Sequence, residues 1–286
     1  IARGQERARI EALAVPPAYD DVWICAQTNG HLQATGRDQR SRKQYRYHPE
    51  WSAAQASTKY DQLANFGAVL PRIRRRVERD LSADPGDAEF ALAAAVMIID
   101  RTSLRVGQQE YSRENGSYGA LTLKRRHLLM KQGALELKFT AKGGKKVRKR
   151  ITDKKLQKLL HKINDVSGAT LLSWVDEGGA PQSLSSQQLN TYLADASGEE
   201  GVTAKTFRTW AGTLAAFEAA EGGNATIKDI AEAASKRLHN TPTVARNSYI
   251  HPDVIDLSGQ PPLSITPVKK QGLFVSEQRL LGFLTA

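Results

Sequence analysis

The sequence predicts an α+β protein: a small strand-plus-helix amino-terminal domain over residues 1–82, then a mainly helical domain over residues 83–286 that carries a small antiparallel sheet. Three features carry that expectation. Period-two apolar alternation is confined to short stretches, one between Asp21 and Thr35 and one between Gly119 and Ile151. Most of the remaining chain has helical period, clearest in the stripe Ile227, Ile230, Ala231, Ala234 and Leu238. Between the two patterns lies Ser82-Ala83-Asp84-Pro85-Gly86-Asp87, small and polar with adjacent Pro and Gly, the best linker in the chain.

Each element follows from local chemistry. Residues 3–13 read as a helix with Ile10 and Leu13 on its apolar edge, stopped by Pro16-Pro17. Asp21–Ala26 and His31–Thr35 read as a hairpin turning at Asn29-Gly30. A basic loop, Gly36–Lys43, leads to Gln44-Tyr45-Arg46-Tyr47. From Pro49 to about Leu81 two helices are expected, broken near Gly67 or Pro71. Asp87 is placed to cap the next helix. Its apolar run, Phe90–Ile99, has the length of a buried core helix and falls well short of the roughly 18 residues of a membrane span. Leu121, Leu123, Leu135, Leu137 and Phe139 mark the sheet, with Lys142-Gly143-Gly144-Lys145 as one of its turns. Helical pattern resumes at Asp153, and a Pro-rich tail after Asp256 ends in a short helix near Glu277–Leu284.

Composition narrows the function. Lys and Arg number 41 against 30 Asp and Glu, a net charge of +11, which favours a polyanionic partner such as nucleic acid. Cys25 is the single cysteine, so an internal disulfide and a thiolate cluster are both excluded, and a reducing intracellular (cytoplasmic, nucleoid-associated) setting is expected. His31, His48, His127, His161, His239 and His251 never fall at the i, i+4 spacing of a helical metal site, so no metal is expected. Gly143-Gly144 lacks the Gly-Lys-Ser/Thr ending of a phosphate loop, so no nucleotide cofactor is expected either.

Phosphodiester chemistry without a metal needs a nucleophile, fixed positive charge on the non-bridging oxygens, and an acid for the leaving oxygen. Arginine suits the second role through its planar fork, and lysine the third because neighbouring cations lower its pKa. A tyrosine can attack if nearby cations favour its phenolate.

Several segments in order carry a resemblance. Val15-Pro16-Pro17-Ala18-Tyr19-Asp20-Asp21-Val22-Trp23, then Ala34-Thr35-Gly36-Arg37-Asp38 and Arg42-Lys43-Gln44-Tyr45-Arg46-Tyr47, resemble the DNA-clamping domain of the poxvirus- and bacterial-type type IB DNA topoisomerases. Leu104-Arg105-Val106-Gly107, with Tyr111 and Gly119-Ala120-Leu121-Thr122-Leu123, is similar to the first catalytic-arginine segment of that family. Phe139-Thr140-Ala141-Lys142-Gly143-Gly144-Lys145 is similar to its catalytic-lysine hairpin. Lys205-Thr206-Phe207-Arg208-Thr209-Trp210 is similar to its second arginine segment, and Asn240 through Tyr249 to its nucleophile segment.

The resemblance implies a tyrosine-recombinase-like catalytic domain and a monomer clamping duplex DNA. It implies that Tyr249 attacks the scissile phosphate, Arg105 and Arg208 hold its oxygens, and Lys142 protonates the leaving 5′ oxygen. Poxvirus relatives place a histidine nine residues before the tyrosine, where this chain has Asn240, as bacterial relatives commonly do. Asn240 is preferred over His239 for that fifth position, because one residue on a helix turns a side chain by about 100°. Gln44, Tyr45, Tyr47, Tyr111 and Lys205 are expected DNA contacts, and Lys145, Lys146, Arg148, Lys149 and Arg150 are expected to track the DNA backbone or to form a solvated hairpin face. Relatives usually carry further strand-rich sequence before the first helix, so the clamp is expected to be shortened at its start.

Two rival readings remain. A tyrosine recombinase or integrase shares the Arg-Lys-Arg-Tyr logic but usually shows His-x-x-Arg where this chain has Lys205-x-x-Arg208. A non-catalytic DNA-binding protein would not need all four of these groups.

Overall fold

The computed structural model describes residues 4–131, 134–164 and 168–286, leaving aside the side chains of Ala56, Ser57, Tyr111 and Lys131. The chain forms two compact units, Ile1–Asp61 and Gln62–Ala286. The first holds α1 (Gln5–Ala12), β1 (Asp20–Ile24), β2 (Leu32–Arg37), β3 (Lys43–Tyr47) and α2 (Pro49–Asp61). Its sheet is antiparallel with order β1-β2-β3, so β3 is an edge. The Gln33 amide, 3% exposed, donates to the carbonyls of Gln27, Thr28 and Gly30 and closes the β1–β2 connection. Arg9 docks α1 on the same point, donating to Gln33 Oε1 at 3.0 Å and to the Cys25 carbonyl at 2.7 Å.

The second unit begins with α3 (Leu63–Asp80) and α4 (Ala88–Thr102). Its boundary therefore lies at residues 61–62 and not at the expected 82. The reason is α3 itself: Leu63, Phe66, Leu70, Ile73 and Val77 recur at helical spacing and are all buried in the same core as α4. Ser82–Asp87 is a tight turn within this unit, and Asp87, though it sits at the N-cap of α4, accepts the Asp84 N–H instead of capping the helix. Nor does a break fall at Gly67 or Pro71. The two helices part at Gln62, and both residues lie inside α3. Gly67 is needed there because a Cβ would stand 2.5 Å from the Trp210 ring.

Next come α5 (Gln109–Asn115), β4 (Leu128–Lys131), β5 (Ala134–Thr140), β6 (Lys146–Ile151) and α6 (Lys154–Asn164). The three strands form an antiparallel sheet in the order β4-β5-β6. Leu121 and Leu123, expected as strand, instead belong to a short 3-10 turn and its exit, both buried against the core. The sequence reading also passed over a small hairpin, β7 (Ser173–Val175) with β8 (Pro181–Ser183). The rest is helical: α7 (Ser186–Ser197), α8 (Ala204–Ala220), α9 (Ile227–Leu238), α10 (Pro242–Tyr249), α11 (Pro252–Ile255) and α12 (Val275–Leu284). Helix α8 is the spine, buried along most of its length and packed on α3, α4, α9, α10 and α12. The tail is strapped to it through Glu277, 3% exposed, which accepts from Trp210 Nε1 at 3.2 Å and from Arg74, itself paired with Asp100.

Gly67→Ala is expected to lower stability by about 1–3 kcal/mol, because the added methyl has to displace a packed indole. A urea melt of the variant beside the natural protein measures it as a lower midpoint with an unchanged slope.

Candidate active site

Three segments of the second unit meet at Tyr249, and a fourth reaches the turn that precedes Arg105. The first is the turn after α4. Helix α4 ends at Thr102, and Ser103 adopts a left-handed conformation with φ 57°. Arg105 follows, half-buried, in an extended segment held by Ala120 N–H to the Arg105 carbonyl and Leu121 N–H to the Val106 carbonyl, both 2.8 Å. Close approach requires glycine here: a Cβ on Gly119 would meet the Arg105 carbonyl oxygen and the Gly107 nitrogen at 2.5 Å.

The second segment is α8. Its N-cap Thr203 makes a capping box with Thr206, and one turn further in lies Arg208, 3% exposed. Arg208 donates to the Ser103 carbonyl and, at 3.2 Å, to the Leu238 carbonyl. These are carbonyls at the C-terminal ends of α4 and α9, where helix dipoles favour a cation. Burial, aided by the Arg105 charge, still brings the Arg208 guanidinium down to about 10, with the Tyr249 oxygen opposing the change.

The third segment carries the tyrosine. Thr241 caps α10 by accepting from the Val244 N–H, Pro242 starts the helix, and Tyr249 closes it. Tyr249 is 7% exposed. Its backbone lies on α8 because Gly212 has no side chain: a Cβ there would stand 2.6 Å from the Tyr249 carbonyl oxygen. The Thr213 hydroxyl donates to that carbonyl at 3.3 Å. Arg105 Nη1 donates to the Tyr249 hydroxyl at 3.1 Å, and the Arg208 guanidinium stands 5.1 Å from the ring centroid. Burial pushes the phenol up, but the charges of Arg208 and Arg105 outweigh it and hold the group below its ordinary value.

Asn240 and His239 flank the same helix end. His239 caps α9 in a left-handed conformation with φ 53°. Burial and the surrounding cations Lys149, Arg208, Lys145 and Arg237 push its imidazole down to about 4. Asn240 is 9% exposed. Among the described residues, neither its amide oxygen nor its nitrogen has a hydrogen-bond partner, and the same holds for His239 Nε2 and Arg208 Nε. Buried polar groups are normally paired, so these atoms keep hydrogen-bonding capacity that the described residues do not use.

The fourth segment is the β5–β6 hairpin. Lys142 lies in its 3-10 turn, exposed, with Gly143 and Gly144 at φ 79° and 75° giving the tight reversal. Lys149 departs from the expected solvated run. Its amine points inward and donates to the Thr102 carbonyl at 2.8 Å. Burial, with the charges of Arg237 and Arg208, pushes it down to about 8. The signal was available in the sequence, since Lys149 alternates in step with Val147 and Ile151.

Among the expected DNA contacts, Lys205 is exposed one turn before Arg208. Tyr111 lies in α5, and its side chain is outside the described residues. In the first unit, Tyr45 and Tyr47 are each 50% exposed and stack at 6.2 Å on one side of the edge strand. Gln44 leaves the strand on the other side, where Asp38 holds its amide at 3.0 Å. Among the described residues no group of three or more His, Cys, Asp or Glu is placed to hold a metal ion.

A buried phenol in contact with two guanidiniums is the equipment of a class: proteins that carry out phosphoryl transfer through tyrosine. The family follows from comparison. Residues 42–246 match the family model of the eukaryotic DNA topoisomerase I catalytic core, and residues 1–38 match that of the bacterial DNA topoisomerase IB N-terminal domain. The chain belongs to the type IB DNA topoisomerase family. It is 27% identical to a DNA topoisomerase 1B of Acanthamoeba polyphaga mimivirus over 85% of this chain and 76% of that protein. It is 26% identical to the DNA topoisomerase 1B of Vaccinia virus over 43% of this chain and 39% of that one. A solved structure of the XerH site-specific recombinase bound to palindromic difH substrate aligns with a TM-score of 0.45 and 16% identity, over 64% of this chain and 47% of that one, too distant a likeness to bear on function. The core family match ends at residue 246, short of Tyr249, so the tyrosine rests on its own motif and geometry.

Replacing Arg105 with alanine removes a cation and a donor from the phenol. The cleavage rate is expected to fall about 100- to 1,000-fold. Because the guanidinium favours the phenolate, its loss raises the tyrosine pKa, and the rising limb of the pH–rate profile moves to higher pH. Single-turnover cleavage measured across pH checks both.

Proposed function

We propose that this chain relaxes supercoiled duplex DNA by cutting and rejoining one strand through Tyr249, without ATP or metal. The observation that carries the reading is the Arg105 contact to the Tyr249 hydroxyl with Arg208 against the ring. Family membership gives it its chemical setting.

The Tyr249 oxygen attacks the scissile phosphorus. A bond forms between phosphorus and the phenol oxygen as the bond to the 5′ oxygen breaks. The phenol proton is lost to solvent, eased by the two guanidiniums. Arg105 and Arg208 then hold the non-bridging oxygens, where charge accumulates in the transition state. The unpartnered Asn240 amide supplies a further donor. Lys142, on its exposed turn, protonates the departing 5′ oxygen. One phosphodiester is exchanged for one phosphotyrosyl ester, so the ends rejoin by the reverse path after the strand has rotated.

Tyr45, Tyr47 and Lys205 are exposed and suited to bases and phosphates. Together with Gln44 and Tyr111 they form the proposed DNA contacts of a monomeric clamp working in a reducing, intracellular compartment, a setting that rests on the single cysteine and the +11 charge. The recombinase alternative is less supported, since both family models that match are topoisomerase models.

Incubation with supercoiled plasmid and a chelator, without ATP, is expected to give a ladder of relaxed topoisomers. A detergent stop traps the protein on a 3′ phosphate through Tyr249. Tyr249→Phe should bind DNA with nearly natural affinity and relax none; relaxation by that variant would sink the mechanism. Binding should also weaken with salt, with a log–log slope near about −0.9 per phosphate contact.

A further inference from the structure

Lys149 is out of place in its strand. Val147, Lys149 and Ile151 share one face of β6, and Val147 and Ile151 are buried. Their partners across β5, Phe139, Leu137 and Leu135, are buried as well. A lysine thus stands in the middle of an apolar row, opposite a fully buried leucine. Taking an ammonium out of water is costly, and such positions are normally left to aliphatic side chains. The ionisable groups that act on it are Arg208 of α8 and Arg237 of α9, both cations, with His239 at the end of α9 also within their reach.

What the amine touches explains its presence. It donates at 2.8 Å to the carbonyl of Thr102, at the negative end of the α4 dipole. The next carbonyl, that of Ser103, accepts from Arg208. The left-handed turn that begins the approach to Arg105 is therefore held by one cation from the sheet and one from α8. Two residues after Ser103 stands Arg105, the group in contact with the Tyr249 hydroxyl.

We propose that Lys149 is a positioning residue for strand cleavage: by holding the Thr102 carbonyl it fixes the turn that aims Arg105, and it couples the hairpin bearing Lys142 to that guanidinium. This rests on the phosphotyrosine reading above. Lys142 and Lys149 belong to the same hairpin, one at its tip and one along β6, so a movement of the tip on DNA is transmitted to the turn before Arg105.

The test is single-turnover cleavage of a duplex, with gel-shift affinity, for the natural protein, Lys149→Met, Lys149→Arg, Arg105→Ala and the double variant Arg105→Ala/Lys149→Met. Lys149→Met is expected to slow cleavage about 10- to 100-fold, the scale of a misplaced catalytic group, with affinity nearly unchanged. Lys149→Arg restores most of the rate. Adding Lys149→Met to Arg105→Ala changes the rate less than about twofold, because both act through one guanidinium. Natural cleavage by Lys149→Met, an arginine variant as slow as the methionine one, or additive losses in the double variant would each overturn the assignment. If Lys149→Met fails to fold by circular dichroism, the arginine variant decides: a folded Lys149→Arg that cuts about 10-fold or more slowly than the natural protein overturns it. A natural protein that binds DNA without cutting it overturns the function and this role together, whereas a natural protein that cuts while Lys149→Met cuts equally well overturns this role alone.

Discussion

The structure around Tyr249 depends on holding like charges close together in a poorly solvated place. Arg105, Arg208, Lys149 and Arg237 all act on one another or on the tyrosine: burial first and the neighbouring charges second push Lys149 and His239 down, and on the phenol the charges of Arg208 and Arg105 override burial and push it down as well. Such a cluster would fly apart without compensation. It comes from backbone carbonyls at the ends of α4 and α9, which accept from Arg208 and Lys149. Carbonyls are partial charges and cannot neutralise the cluster. The remaining imbalance is what a phosphate would satisfy, and the same imbalance is what makes the phenol acidic. In the proposed reaction one electrostatic imbalance serves both substrate binding and activation of the nucleophile.

The framework keeps that arrangement by close backbone approach. Gly212 admits the end of α10 to the face of α8, and Gly107 with Gly119 admits the Arg105 strand to its neighbour. Helix α8 presents Arg208 and, one turn on, the Gly212 and Thr213 seat of Tyr249. The relative positions of Arg208 and Tyr249 are thus set by a single buried helix. Arg105 comes from a turn and Lys142 from an exposed hairpin, so their placing depends on tertiary contacts.

Much of this was legible in the sequence. The core helix at Phe90–Ile99, the stripe of α9 and the basic hairpin were readable because their periods are long or their turns glycine-rich. The helix break was misplaced because Gly67 and Pro71 read locally as punctuation, whereas Gly67 is a seat for Trp210, a contact far away in the chain. The domain boundary moved for a related reason: Ser82–Asp87 has linker composition, but the apolar face of α3 had already committed that helix to the core of the second unit. Arg105, Lys142, Arg208 and Tyr249 could be named from their motifs. That Arg105 touches the phenol, that the Asn240 amide is left unpartnered, and that the inward-facing Lys149 meets the Thr102 carbonyl could not, because each depends on which segments meet.

The seat of Tyr249 has a mechanical consequence. In the proposed reaction the broken strand is joined to Tyr249, and the turning duplex would pull on that ester and pass the load from the ring into the main chain. There it meets Gly212 and Thr213 and is spread along the best-buried helix of the protein. In that reaction the core would carry torque that could swing a loop-borne tyrosine away, holding the phosphorus where the freed 5′ end must return. The proposed anchor would work as a bearing: the DNA swivels, and the joint does not.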